Sequence, residues 1–293
     1  MNHILLLGGT GILGSEVRRQ LTSKNMDLES PSSTNLDIRD FGQFSEYVQR
    51  YKPQWMINCA AWTNVDGAEE SFGQAKELNE VAVRNIAEIA LVNSCSVIHI
   101  STDYVFDGLS SAAYDENSPV KPVNKYGKSK LLGESALVST LPNNSYVIRT
   151  SWLYGVSGRN FVKTMAAKAL KSEAANVVDD QVGSPTSARD LARAILEIIE
   201  KAPAPGIYHY SNSGSCSWFE LARTIYSKIG VDTALVHPIK TASLNVKATR
   251  PHFSLLSKEK WRSANLSVIP EWEDALEELL PEILDELRNS EAL

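Results

Sequence analysis

The feature that most constrains this chain is its opening, ILLLGGTGILGSEV (residues 4–17): an apolar run, a glycine-rich turn and an amphipathic stretch. Gly8, Gly11 and Gly14 form GxxGxxG, and Gly9, Gly11 and Gly14 also fit GxGxxG. A strand that turns at once into a helix needs glycine for the unusual backbone angles. It needs glycine again where a diphosphate approaches the backbone, and where the helix packs on the strand. The positive helix end then faces the phosphates. Placed directly between a strand and a helix, the motif predicts a dinucleotide-binding unit rather than a chance match.

The next elements continue the rhythm. Apolar runs HILLLG, WMINCAA, SVIHIS and SYVIRTS read as buried strands, separated by helical stretches at residues 12–23, 41–51, 74–93 and 126–141. Continuous apolar strands alternating with helices predict an α/β fold, a Rossmann-like doubly wound parallel sheet covered on both faces. After about residue 150 loops lengthen around shorter elements. We therefore expect a dinucleotide-binding domain over 1–150, with the chain returning to it around 180–210. A smaller mixed α/β substrate domain is expected mainly over 151–293. The acidic tail from residue 271 carries Leu at helical spacing and reads as a surface helix with a solvated acidic face.

Composition narrows the function classes. With 293 residues, 43% hydrophobic and 22% charged, the chain has a globular make-up, and its net charge of −6 argues against nucleic-acid or anionic-membrane partners. Cys59, Cys95 and Cys216 show no CxxC spacing, so neither a disulfide framework nor a zinc site is implied, and a reducing cytoplasm fits best. The histidines show no metal-ligand spacing. No run approaches membrane-spanning length.

Two further stretches carry chemistry. SVIHISTDYVFDG ends a strand at Ser101 and Thr102, at the carboxyl edge where such sheets open onto a ligand crevice. NKYGKSKLLGE then sets Tyr126 and Lys130 four positions apart, on one helix face. Moving a tyrosine pKa from about 10 to about 7 takes roughly 4 kcal/mol. A cation about 4 Å away supplies that much at an effective dielectric near 20, but only about 1 kcal/mol in water. The pair matters only in a sheltered cleft. There a hydroxyl, a phenol and a lysine can orient a carbonyl, protonate it and hold a nicotinamide ribose. For the cofactor, the region DLESPSSTNLDIRD offers Ser32, Ser33 and Thr34 to a 2′-phosphate with Arg39 near, and Glu29 as the acid that would instead favour NAD. The reading leans to NADPH with NADH as the second option, and places Asp37 and Ile38 beside the adenine.

GGTGILG, STDYVFDG, YGKSK and RTSWLYG together resemble the extended short-chain dehydrogenase/reductases, and within them the dTDP-4-dehydrorhamnose reductase family. NCAAWTNVDGAE, NFVKTM, DDQVGSPTSARDLA and RPHFS extend the likeness to about residue 280. The resemblance implies cofactor contacts from Gly8, Gly11, Ile12, Leu13, Asp37, Ile38, Ala60, Ala61, Thr63, Tyr126 and Lys130, with Gly14 in the same turn. It implies a catalytic set of Thr102, Tyr126 and Lys130. It lines a nucleotide-sugar site with Val65, Asp66, Thr102, Tyr104, Tyr126, Trp152, Asn160 and Arg250. Trp152 reads equally well as packing on a sugar or base and as core; Arg250 suits a diphosphate. The implied activity is reduction of the C4 ketone of dTDP-4-dehydro-6-deoxy-L-mannose to dTDP-L-rhamnose, in the service of bacterial surface polysaccharide. Magnesium is left open, and a homodimer is one option for assembly.

The chain departs from the family pattern at Phe253, where asparagine is frequent, and at Leu255, near a frequent arginine. A 4,6-dehydratase would share the fold but place Asp-Glu after Thr102, where Asp103 and Tyr104 stand here. An epimerase would keep NAD through an acidic second strand end. A third alternative, from another class, is a non-catalytic NADP-binding regulatory subunit resembling the methionine adenosyltransferase beta subunit. The intact STDYVF and RTSWLYG favour the enzyme.

Overall fold

The computed structural model describes residues 3–291. Strand β1 (His3–Leu7) runs into α1 (Ile12–Ser23), then β2 (Asp27–Glu29), α2 (Phe41–Tyr51) and β3 (Trp55–Asn58). Helices α3 (Val65–Glu70), α4 (Phe72–Lys76) and α5 (Ala82–Asn93) lead to β4 (Ser96–Thr102), α6 (Lys125–Thr140) and β5 (Ser145–Thr150). Side chains start three of these six helices: Asp40, Asn64 and Asn124 accept from the backbone N–H groups of Gln43, Gly67 and Gly127. Helix α1 differs. Its N-cap is Gly11, with no side-chain cap and no acid in its first turn, so its free N–H groups stay available.

The stretch 74–93, expected as one helix, is interrupted by a π-helical turn, Glu77–Val81, between α4 and α5. The turn inserts Asn79, whose amide bonds Trp62 N and O and the Ser129 hydroxyl. Buried backbone and side-chain polar groups are thereby satisfied at the cost of helix regularity, a pattern common near functional sites.

The remaining elements are β6 (Leu153–Tyr154), α7 (Phe161–Leu170), β7 (Ala175–Val178), β8 (Val182–Gly183), β9 (Thr186–Ser187), α8 (Ala188–Lys201) and β10 (Gly206–His209). They are followed by β11 (Cys216–Ser217), α9 (Trp218–Ile229), β12 (Val236–Ile239), α10 (Glu259–Ser263) and α11 (Trp272–Glu291). Strand β10 rejoins the first half: the sheet order is β10-β5-β4-β3-β1-β2, all neighbours parallel. Order reverses at β1, with β2 on one side and β3 on the other, and the crevice lies beyond their carboxyl ends.

The apolar runs are continuous because alternate residues face opposite covered faces. Ile4, Leu6, Ile57, Ile98 and Ile148 pack with Val17, Leu21, Ile195 and Ile198 of α1 and α8. Leu5, Leu7, Met56, Val97 and Val147 pack with Phe44, Val48, Val83, Ile86 and Leu137 of α2, α5 and α6. A separate core joins α7, α9 and α11. In α11 the leucine face is part of that core through Leu276, Leu279, Leu280 and Ile283. Its acids pair with neighbours: Glu282 with Arg189, Glu278 with Arg193 and Glu277 with Lys228.

Candidate active site

The glycine turn makes the floor of a cleft. Gly8 has φ +77°, and a Cβ there would meet Ala60 N at 2.6 Å. A Cβ on Gly14 would stand 2.0 Å from Gly8 O, which is how α1 closes onto the turn; Gly14 itself is not among the residues that line the cavity above it. Above the turn lies a cavity of about 420 Å³ lined by Gly8, Gly11, Ser32, Ser33, Asp37, Ile38, Ala60 and Ala61. Leu78 from the π-helical turn also borders it. Arg39 is there too, but its guanidinium holds the Asp37 carboxylate at 2.7 Å and keeps that carboxyl below its usual range. Ser32 and Thr34 share a hydrogen bond. Glu29 is not among the residues lining this cavity and accepts from Tyr47 OH at 2.8 Å.

Sharing Gly11, Cys59 and Ala61 with the first, a second cavity of about 560 Å³ brings together the three expected catalytic residues. Ile12, Leu13, Thr63, Thr102, Tyr126, Lys130, Trp152 and Asn160 line it. The strand end of β4 delivers Thr102, whose hydroxyl donates to Asp103 Oδ1 at 3.0 Å and accepts from Tyr104 N. The Tyr126 phenol is hydrogen-bonded to the Thr102 side chain, yet burial outweighs that bond and, with Asp103, pushes its pKa up to about 12. This corrects the expectation of a lowered phenol. Lys130 shares the helix face but its Nζ donates to Ile100 O at 2.6 Å and meets His99 Nε2 at 3.3 Å. Burial lowers its pKa to about 8, against the pull of Glu134 and Cys59. Helical spacing fixes the face a side chain shares, not the rotamer it takes.

The nucleotide-sugar residues divide. Thr102, Tyr126, Trp152 and Asn160 border the cavity, whereas Val65, Asp66, Tyr104 and Arg250 do not. Tyr104 sets its ring edge-on to Tyr126, centroids 5.9 Å apart. Arg250, expected free for a diphosphate, is bonded to Asp66 at 2.6 Å, and that bond holds the Asp66 pKa down at about 2. Asn160 caps α7 and donates to Gly155 O. Trp152 takes φ +47° and stacks on Trp218 at 3.6 Å, so one face of the indole is covered while the residue still borders the cavity.

Ser101, expected at the strand end that opens onto the crevice, does line the second cavity; sequence reasoning missed Asp103, Ser151, Leu153, Gly158 and Arg159, which line it too. Asp103 is the most consequential. It is 2% exposed, and burial raises its pKa to about 6 against hydrogen bonds from Ser254 and Thr102. Its signal was present, a carboxylate directly after the strand-end threonine. Arg159 was signalled by its place in the loop just before the cap of α7.

A six-stranded parallel sheet, a glycine turn on an uncapped helix and a hydroxyl–phenol–lysine set in the adjoining cleft define a Rossmann-like dinucleotide-binding protein of the extended reductase type. Within that class the chain belongs to the family described as the RmlD substrate binding domain, whose model matches residues 1–284. It is 36% identical to a dTDP-4-dehydrorhamnose reductase of Streptomyces griseus, over 94% of this chain and 92% of the relative. It is 35% identical to a dTDP-4-keto-6-deoxy-D-glucose reductase of Streptomyces niveus, over 94% and 96%. A crystal structure of dTDP-4-dehydrorhamnose reductase from Bacillus anthracis in complex with NADP superposes with TM-score 0.91 at 37% identity, covering 96% of this chain and 99% of that one.

Proposed function

We propose that this chain is an NADPH-dependent reductase of a 4-keto-6-deoxy sugar nucleotide, converting dTDP-4-dehydro-6-deoxy-L-mannose to dTDP-L-rhamnose. The observation that carries the reading is the meeting of Thr102, Tyr126 and Lys130 in one cleft continuous with the glycine turn. The residues present suit a dinucleotide. Gly8 lets the turn close on Ala60, Gly14 seats α1 on the turn, Gly11 borders both cavities, and the uncapped α1 offers its N–H groups to a diphosphate. A bound nicotinamide would supply the hydride to C4.

Thr102 donates a hydrogen bond to the carbonyl oxygen, and Tyr126 gives its proton to the alkoxide that develops there. A phenol held near 12 keeps its proton until a stronger base appears, which suits an acid in reduction. Lys130 lowers the cost of the resulting phenolate and grips the ribose. Asp103 lies beside Thr102, within the group that receives the sugar. Arg159 is an exposed guanidinium at the cleft wall and takes the diphosphate role that Arg250, occupied by Asp66, was expected to fill. Ser32 and Ser33 at the far end of the dinucleotide cavity, with Glu29 turned to Tyr47, support NADPH over NADH.

A second reading, another 4-keto deoxysugar nucleotide, is favoured by Phe253. Its ring lies 6.5 Å from that of Tyr114 and the residue bridges to Val182, replacing a polar position with an apolar one. A spectrophotometric NADPH oxidation assay with the enzymatically generated dTDP-4-keto sugar, run beside other 4-keto deoxysugar nucleotides, separates the two. Oxidation with none of them overturns the enzyme reading in favour of a binding protein.

A further inference from the structure

The one tryptophan of the catalytic cleft is held by residues that line neither of its two cavities. Trp152 stands where the chain leaves β5, with φ +47°, a left-handed conformation that a bulky side chain adopts only where its surroundings impose it. They do so from both sides. The Ser151 hydroxyl donates to Ser184 O at 2.7 Å, and the Thr186 N–H donates to Trp152 O at 3.2 Å. Residues 184–186 thereby fix the backbone from which the indole projects.

Two further residues fix the ring. Trp218 stacks on its face, centroids 3.6 Å apart and planes 9° from parallel, and Phe161 backs Trp218 at 4.6 Å. Trp218 is itself anchored, because it opens α9 directly after Ser217, whose capping box with Glu220 closes the first turn. Gly183 abuts the Nε1–Cε2–Cζ2 side of the indole. A Cβ there would stand 2.8 Å from Cε2, 2.9 Å from Nε1 and 3.0 Å from Cζ2. Gly183 does not take a positive φ, so what it supplies is the missing side chain rather than backbone freedom. Both residues ride on one ribbon: β8 pairs antiparallel with β11, Gly183 opposite Cys216 and Val182 opposite Ser217. The ribbon is tied in turn to the segment carrying Phe253. The Val182 N–H donates to His252 O at 2.8 Å, and the Ser254 N–H donates to Val182 O at 2.9 Å.

We propose that Gly183 and Trp218 form a clamp on Trp152, positioning residues that set how far the indole stands into the second cavity and so which sugar fits there. This rests on the reading of that cavity as the sugar site. A 6-deoxy sugar presents a methyl group and C–H faces, for which a flat apolar ring is a matching wall. A wall discriminates between sugars only if it does not yield, and the clamp supplies that stiffness. Thr102 and Tyr126 border the same cavity, so displacing the wall also changes how a ketone meets them.

The test labels the full chain with 5-fluorotryptophan and reads fluorine NMR, the Trp152 signal being assigned by its loss in W152F. The probes are NADPH and dTDP-L-rhamnose, the product of the proposed reaction, so no turnover is required. In the parent chain the Trp152 signal should move when dTDP-L-rhamnose is added. Gly183→Ala forces the ring aside, and Trp218→Leu removes the stack. Each should shift the ligand-free Trp152 signal and weaken dTDP-L-rhamnose about 10-fold, the weight of one aromatic pair, while NADPH binding changes less than about twofold. Trp218→Phe keeps a stacking ring and should restore most of the affinity. Sugar-nucleotide affinity unchanged in both G183A and W218L overturns the inference, and so does a Trp152 signal that ignores both substitutions. Equal weakening of NADPH, or no rescue by W218F, makes the role merely structural and overturns it as well. If G183A does not fold, W218L and its rescue decide. A parent chain that does not bind dTDP-L-rhamnose fails the underlying reading of the cavity; a parent that binds it, with variants that bind equally well, fails the clamp alone.

Discussion

At the residue scale the cleft is a problem in proton ownership. Tyr126 near 12 is an acid about five powers of ten too weak to ionise at pH 7, roughly 7 kcal/mol, so in the proposed reaction it would act only toward an alkoxide. Tyr126→Phe should keep the aromatic packing against Tyr104 and bind cofactor normally. Turnover should fall about 100-fold or more, the usual weight of general acid catalysis. Cofactor titration by fluorescence beside the NADPH oxidation assay checks both halves, and near-normal turnover would falsify the assigned role. Asp103 gives the complementary case. Its folded pKa, about 6, lies above the ordinary 3.8 because the carboxylate is buried. The folded state binds the proton more tightly than the unfolded chain, so this stability is complete below about pH 4 and lost as pH rises through 6. The difference amounts to about 3 kcal/mol at most. Asp103→Asn keeps an acceptor for Thr102 and removes the titration. Urea unfolding at pH 4.5 and pH 8 should give a gap smaller than in the parent by roughly 1–3 kcal/mol, with the variant more stable at pH 8.

Among the elements, α6 carries Tyr126 and Lys130, and its placement depends on how closely its first turn approaches the strand-end loop. A Cβ on Gly127 would sit 2.1 Å from Tyr104 O, a backbone atom that cannot swing aside. Asn124 caps the same turn and donates to Thr249 O, tying the helix to the segment before Arg250. Gly127→Ala should therefore push the helix start outward. Helix propensity favours alanine, but overpacking here costs about 1–3 kcal/mol, and Tyr126 moves with the turn. The expected outcome is a loss of kcat larger than the loss in melting temperature suggests, measured by turnover beside calorimetry. A variant with parental kcat would show that the close approach is incidental. The helix itself was legible from its place between two apolar strand runs, although its buried face is mostly small or polar: Gly127, Ser129, Lys130, Gly133, Glu134 and Leu137. Three things were not: the π-helical turn at Glu77–Val81, the retreat of Lys130 onto Ile100, and the capture of Arg250 by Asp66. Each is settled by a partner far along the chain, which periodicity and spacing do not encode.

Over the whole molecule, the centre of the parallel sheet was readable because both its faces are apolar and β1, β3, β4 and β5 are continuous runs, whereas the edge strands β2 and β10 are not. The second core was not, because β6, β8, β9 and β11 are two residues each and are defined by cross-chain pairing rather than by pattern. The cleft between these cores takes Gly8 to Ala61 from one side and Trp152, Arg159 and Asn160 from the other, so filling it links them thermodynamically. A ligand that binds only the folded chain adds about 2.7 kcal/mol at 100 times its Kd. At about 2–4 °C per kcal/mol for a chain of this size class, the melting temperature should rise by several degrees with saturating NADPH. The rise should be smaller with NADH at the same concentration, because Ser32 and Ser33 face the cavity while Glu29 is engaged by Tyr47. Ser32→Asp places a carboxylate where a 2′-phosphate would lie. Like charges there disfavour NADPH, and a carboxylate can accept from ribose hydroxyls. The order of the two melting shifts should then invert. Equal shifts from both nucleotides in the parent chain would sink the assignment of this end of the cavity to phosphate recognition, and would leave the catalytic cleft untouched.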